Sequence, residues 1–156
     1  KVFHAGESGA GASVKLVNNL LAGIHMVSIM EALVLGVKAG LSVQTLKEVI
    51  SASSGNSKIF EPLVDKITTL SPQPPQGQTA SQGLHTISKD IRLAIEMAQN
   101  LSVPLSLGST ALQPFLAGLA NDWSNKEHWV IMEFFEQMSG IRVRPLELTY
   151  LEGDKT

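Results

Sequence analysis

An all-α domain built around one long N-terminal helix is the fold class that the sequence predicts. Through most of the 156 residues, apolar side chains recur at steps of three and four, the spacing of one helix face. Segments rich in Pro, Gly and Ser separate these patterns. Residues 1–4 have an extended character but are too few to form a sheet alone. We therefore expect five to seven helices and no alternation of strands with helices.

The longest helical pattern spans residues 11–39. Gly40 is well suited to end it, because glycine adopts the left-handed conformation without a Cβ penalty. A helix of this length extends about 45 Å at ~1.5 Å per residue. We expect the other helices to pack against it. The predicted apolar face consists of Val14, Val17, Leu21, Ile24, Val27 and Leu35.

Two short helices are predicted next. Ser42 is a good N-cap for the first, which runs to residue 53. The sequence SSGNS at residues 53–57 interrupts the helical pattern. It either reaches a ligand or only breaks the helix. The second short helix spans residues 58–68, and the Pro-, Gln- and Gly-rich residues 71–83 form the longest loop.

Three further helices complete the prediction. A strongly amphipathic helix begins at Leu84 and ends near residue 101. The next begins around residues 103–104, where a proline is tolerated, and ends near residue 120. The last spans residues 129–138. We expect its large apolar side chains to join the core, namely Phe134, Phe135 and Met138.

Composition excludes several function classes. With 44% hydrophobic and 17% charged residues, the chain is typical of a globular domain. A net charge of −2 without a basic run argues against nucleic acid. No uninterrupted apolar stretch of ~18 residues indicates a membrane span. Cysteine is absent and the four histidines are not at metal-ligand spacing, so we expect no metal. Without an initial Met or a leader pattern, we expect part of a longer cytoplasmic protein.

Two glycines near the N-terminus raise the question of a dinucleotide-binding turn. Gly9 and Gly11 match the first two glycines of G-x-G-x-x-G, but Val14 stands in the third position. No buried strand precedes them, and no acidic residue follows at the end of a second strand. These glycines are better explained as a sharp turn into the long helix.

A polar stripe follows on that helix. Lys15, Asn18 and Asn19 lie on one face, since residues three and four apart are neighbours on a helix. Asparagines are poor helix formers, and their amides require partners in apolar surroundings. The stripe is either a solvated face or a site for an anionic or hydroxylated ligand, held by one ammonium and two amides.

Three ordered sequence blocks add a family resemblance. GESGAGASVKLVNNLL has the pattern GxxGxGxxxKxxNNLL, which resembles the opening of the C-terminal domain of 3-hydroxyacid dehydrogenases. EALVLGVKAGLSVQTLKEVISASSGNSKIFE and SKDIRLAIEMAQNLSVPLSL are similar to two later blocks of the same family. The family includes 3-hydroxyisobutyrate, tartronate semialdehyde and L-threonate enzymes, with 6-phosphogluconate dehydrogenase as distant kin.

The resemblance implies a two-domain oxidoreductase. An N-terminal Rossmann domain, absent from this chain, would bind most of the NAD or NADP. Residues 1–8 would end the connection between domains, 9–140 would form the helical catalytic and dimerisation domain, and 141–156 would be a tail or linker. The resemblance also implies a homodimer and a small 3-hydroxyacid substrate. The chain alone would be inactive, and a mitochondrial location stays open beside the cytoplasm.

The resemblance also implies residue roles. Lys15 matches the catalytic acid–base lysine, and Asn19 matches the asparagine that positions substrate. Gly9, Gly11 and Asn18 would contact substrate, and Lys89 would lie near the nicotinamide end of the cofactor. Asp90 is expected to be structural. The alternative is a non-catalytic relative that serves as an oligomerisation module.

Overall fold

The computed structural model describes residues 4–75, 78–81 and 83–143. Within these ranges the chain is helical and contains no β-strand, which confirms the predicted all-α class. Six α-helices and one short 3₁₀ turn, His128–Ile131, follow one another along the chain. The α-helices are α1 Ala10–Lys38, α2 Val43–Ser51, α3 Phe60–Thr69, α4 Leu84–Asn100, α5 Ser106–Ala120 and α6 Met132–Ser139.

Helix α1 is the long helix that the sequence predicted. Its 29 residues extend about 43 Å at ~1.5 Å per residue. Gly40 follows the helix with a φ of 89°, and its amide donates to the carbonyl of Val37 (2.9 Å). The amide of Leu41 donates to the carbonyl of Gly36 (3.0 Å). This pair of bonds is a Schellman motif, so the predicted glycine stop is confirmed.

The second half of α1 forms the centre of the core. Met26, Met30 and Leu33 are buried there and pack with α4, α5 and α6. By length and composition, α1 could also cross a membrane, but nearly half of its most apolar stretch is buried inside this domain. Burial of this kind is typical of a core helix in a globular domain.

The predicted apolar face of α1 was wrong at four positions. These side chains are each more than half exposed: Val14, Val17, Leu21 and Leu35. Because α1 is apolar on almost every side, periodicity does not decide which side packs. The helices that pack against α1 decide which of its sides is buried. At Gly23, an added Cβ would lie 2.5 Å from Cδ1 of Ile91, so the missing side chain permits close packing of α1 on α4.

The shorter helices largely follow the prediction. The hydroxyl of Ser42 accepts a hydrogen bond from the amide of Thr45 (3.0 Å), which confirms the predicted cap of α2. Helix α5 begins at Ser106, slightly later than predicted, and contains the buried Pro114. The 3₁₀ turn occupies the start of the last predicted helix, so α6 begins only at Met132.

The end of the described chain packs on α6. Phe135 is buried as predicted and Phe134 is half-buried, whereas Met138 is exposed and its predicted core position was wrong. The buried carboxylate of Glu136 accepts from the amide of Val143 (2.8 Å), which holds the chain against the helix that it leaves. The remainder of the predicted tail, residues 144–156, lies outside the described residues.

Candidate active site

The two glycines that precede the polar stripe shape the entry into α1. Gly9 is the N-cap residue and has a φ of 91°, a conformation that L side chains rarely adopt. Its carbonyl accepts from the amides of Ala12 (3.1 Å) and Ser13 (3.2 Å). Gly11 lies within the first turn, where an added Cβ would meet no atom within 4 Å. Gly9 therefore turns the chain into the helix, as the sequence indicated, whereas Gly11 lies within the helix and has no positive φ.

The polar stripe of α1 meets a carboxylate on α4. The amide nitrogen of Asn19 donates to Oδ2 of Asp90 at 2.7 Å. The ammonium of Lys15 lies 3.2 Å from the same oxygen. Asn18 donates from its own amide to Oδ1 of Asn19 at 3.2 Å. The structure thus brings together three of the predicted site residues in one network, and Asp90 is its centre.

The environment of Asp90 keeps it ionised. Its side chain is only 3% exposed, whereas that of Lys15 is 63% exposed. Burial alone would raise the pKa of Asp90. The hydrogen bonds from Asn19 and Lys15, together with the charges of Lys15 and Lys89, outweigh burial and lower the pKa below its ordinary value. A fixed negative charge therefore holds an accessible ammonium and an amide in place.

From the sequence, Asp90 was expected to be structural, and its partners were not predicted. It lies three residues after Ile87 and four before Ala94, on the apolar face of α4. A carboxylate in that position requires partners, and this requirement was the available signal. The partner itself could not be read from the pattern, because Asn19 is 71 residues away in the chain.

A cavity of about 360 Å³ adjoins this network. It lies between α1, α3 and α4, and the described residues that line it include Asn18, Asn19 and Asp90. Its volume is within the ~300–1,000 Å³ typical of small-molecule sites. Apolar residues form much of the wall, and polar residues join them, including Lys58, Lys66, Thr86 and His128.

Lys89 lies outside this cavity. It is exposed on α4 and lines a separate depression of about 250 Å³ with His85 and Arg92. Lys89 acts on the network through its charge, which helps to lower the pKa of Asp90. Lys89 and Arg92 are exposed cations on one side of α4.

The turn at residues 53–57 has local hydrogen bonds. The side-chain Nδ2 of Asn56 donates to the carbonyl of Ser51 (2.8 Å), and the hydroxyl of Ser53 donates to the carbonyl of Val49 (2.6 Å). These bonds hold the turn locally, and the cavity is lined by the residue that follows the turn, Lys58. Among the described residues, no group of His, Asp and Glu could hold a metal ion.

Comparison with known proteins shows which family the chain belongs to. Residues 9–135 match the family model described as "NAD-binding of NADP-dependent 3-hydroxyisobutyrate dehydrogenase". The chain therefore belongs to the 3-hydroxyisobutyrate dehydrogenase family, whose cofactor is NAD or NADP.

Individual proteins with similar sequences are dehydrogenases as well. The chain is 39% identical over 143 residues to 2-(hydroxymethyl)glutarate dehydrogenase of Eubacterium barkeri, covering 91% of this chain and 46% of that protein. It is 38% identical over 116 residues to 3-hydroxyisobutyrate dehydrogenase of Pseudomonas aeruginosa, covering 73% and 39%. The chain thus spans less than half the length of these relatives.

Solved structures share the fold. The 3-hydroxyisobutyrate dehydrogenase of Salmonella typhimurium is 28% identical with a TM-score of 0.69, over 81% of this chain and 42% of that one. The enzyme of Mycobacterium tuberculosis, solved with L-serine, is 27% identical with a TM-score of 0.68, over 86% and 46%. In both, the helical domain corresponds to part of a longer chain.

Proposed function

We propose that this chain is the C-terminal catalytic domain of an NAD(P)-dependent 3-hydroxyacid dehydrogenase, with Lys15 as its acid–base group. The observation that carries the proposal is the convergence of Lys15 and Asn19 on one oxygen of Asp90. A purely solvated stripe would not need a buried carboxylate from another helix. The ammonium is also exposed enough to meet a substrate.

The proposed chemistry divides the reaction between cofactor and protein. When bound, the nicotinamide supplies or accepts the hydride. Lys15 handles the proton: its ammonium donates to the oxygen of the forming alcohol during reduction, and its free amine accepts that proton during oxidation. Asp90 fixes the direction from which the nitrogen acts. Asn19 is held by the same oxygen, so the two groups keep a constant spacing to the substrate.

The other predicted residues take supporting roles in this proposal. The backbone at Gly9 and Gly11 and the amide of Asn18 would contact the substrate. Lys89, exposed one residue before Asp90, would lie beside the nicotinamide end of the cofactor. Both assignments come from the family motif, and the short sequence distance of these residues from the network supports them.

The proposed whole protein has two domains. The relatives are about twice as long as this chain, which supports a preceding Rossmann domain that binds most of the cofactor. We propose residues 1–8 as the end of the connection, 9–140 as the catalytic and dimerisation domain, and 141–156 as a tail or linker. The cytoplasm is the proposed location, with a mitochondrial one open because one Dictyostelium discoideum relative is named as mitochondrial.

A homodimer is part of the same proposal. Several apolar side chains of α1 are exposed on its first half, which favours a partner surface. The same feature favours the second candidate function, a non-catalytic oligomerisation module. That candidate does not explain why Lys15 and Asn19 converge on the buried Asp90.

Replacement of the lysine tests the proposal. Lys15→Ala in the complete enzyme should remove turnover of 3-hydroxyacids and leave the Kd for NAD and NADP nearly unchanged, because the variant loses the proton donor and keeps the cofactor domain. Steady-state kinetics and calorimetry measure the two effects. Activity within about tenfold of wild type, a difference of only ~1.4 kcal/mol in barrier, would contradict the assignment. Lys38→Ala is a suitable control, since Lys38 lies at the far end of α1.

A further inference from the structure

The wall of the cavity formed by α3 carries two lysines that the proposed reaction does not use. Lys58 lies just before α3, and Lys66 lies two turns further along it. Both line the cavity together with the residues between them on the same helix face, Ile59, Pro62 and Leu63. Neither ammonium forms an ion pair or hydrogen bond within the described part of the chain.

The charges along the cavity do not balance. Asp90 is the only carboxylate among the described residues that line it, and Lys15 and Asn19 already occupy its oxygen. Lys58 and Lys66 therefore leave an excess of positive charge on the α3 side. Lys66 is half-buried, so part of its surroundings is protein rather than water. An anion bound at this wall would supply the missing counter-charge.

The geometry of a 3-hydroxyacid limits which anionic group of a substrate could reach Lys58 and Lys66. A single carbon separates the hydroxyl-bearing carbon from the carboxyl carbon in such a molecule. Both groups must therefore lie close to Lys15 and Asn19. The remainder of the substrate must extend into the cavity, past apolar residues such as Met26 and Leu63. Methylene groups suit that part of the wall, and a second negative group suits the lysines beyond it.

We propose that Lys58 and Lys66 form an anion subsite for the distal carboxylate of a dicarboxylic 3-hydroxyacid. The subsite rests on the proposed function, because it assigns a substrate class to the same site. It makes the two lysines specificity-determining residues, since they contact the end of the substrate that does not react. A monocarboxylic substrate would bind without using them.

Matched substrates test the subsite in the complete enzyme. We choose 3-hydroxyglutarate and 3-hydroxypentanoate, which differ by a carboxylate in place of a methyl group. Wild type should have the higher kcat/KM for 3-hydroxyglutarate. Lys58→Met and Lys66→Met should each lower that kcat/KM by about 10- to 100-fold, the usual effect of losing a hydrogen bond to a charged group. Turnover of 3-hydroxypentanoate should change by less than about threefold, which also verifies folding.

The controls separate this proposal from the proposed function. Lys38→Met removes a lysine charge far from the cavity and should change neither substrate. An equal loss on both substrates, or a loss on neither, would overturn the subsite. If wild type turns over no 3-hydroxyacid with NAD or NADP, 3-hydroxyisobutyrate and L-threonate included, the proposed function fails. Calorimetry with glutarate and pentanoate then still tests the subsite: wild type should prefer glutarate, Lys66→Met should lose the preference, and no preference in wild type would overturn it.

Discussion

Replacement of Asp90 by asparagine gives the sharpest test of the network between α1 and α4. Asp90→Asn keeps the size and planarity of the side chain and removes its charge. The bond from Asn19 is made to a buried, charged acceptor, and such bonds contribute about 1.5–3 kcal/mol. The pair with Lys15 contributes less than about 1 kcal/mol, because the ammonium is largely exposed and screened by water.

The expected cost of Asp90→Asn follows from these contacts. An asparagine can still accept one neutral hydrogen bond from Asn19, so we expect a loss of about 1–3 kcal/mol in the free energy of unfolding. For a chain of this length, that is a fall in Tm of roughly 2–12 °C. Urea and thermal unfolding at pH 7 measure both quantities. The matched control is Asp65→Asn, which removes an exposed carboxylate of α3 that pairs with Lys47 of α2, and for which we expect less than about 1 kcal/mol.

The same variant has a defined pH dependence. The pKa of Asp90 is lower in the folded chain than in the unfolded chain. Its contribution is therefore fully present above the unfolded pKa, about 3.9, and is lost as the pH falls through the lower folded value. The difference in stability between wild type and Asp90→Asn should shrink below about pH 4. Equal stability of the two proteins at every pH would refute the reasoning.

Three further predictions concern the helix entry, the cofactor and the assembly. Gly9→Ala should destabilise the chain by about 1–2 kcal/mol because of its positive φ, whereas Gly11→Ala, in open space within the helix, should stabilise it by up to ~1 kcal/mol; unfolding curves with the opposite order would contradict the turn. Calorimetry of the isolated chain with NAD and NADP should detect no tight binding, and a micromolar Kd would overturn the domain assignment. Light scattering at high concentration should give the mass of a dimer, and a monomer would count against the proposed pairing through α1.

The helices could be predicted because their signals are local. The cap at Ser42 and the stop at Gly40 depend on neighbouring residues, and both were confirmed. The packed side of α1 could not be predicted in the same way. Val17 and Met30 are both apolar and both at helical spacing, yet only Met30 is buried, because its neighbours come from distant parts of the chain.

The residues of the candidate site also differ in whether a local sequence pattern could predict them. Lys15 and Asn19 were predicted as site residues from the spacing within one helix and from the family motif. Asp90 was expected to be structural, and it is the residue that the other two contact, but these partners could not be predicted. Lys58 did not stand out either, since an exposed lysine beside a short helix has no local pattern. Lys58 stands out only because it lines the cavity, and the cavity forms only after α1, α3 and α4 have packed.

The close approach of Gly23 to Ile91 has a consequence for protein engineering. Gly23 lies one turn after Asn19 on α1, and Ile91 directly follows Asp90 on α4. The packing contact therefore fixes the rotation and the axial position of α1 at the site itself. Inserting one residue between Asn19 and Gly23 would rotate Lys15 and Asn19 by about 100° away from the carboxylate. Chimeras that exchange α1 between relatives must preserve this spacing, or Lys15 and Asn19 will no longer face Asp90.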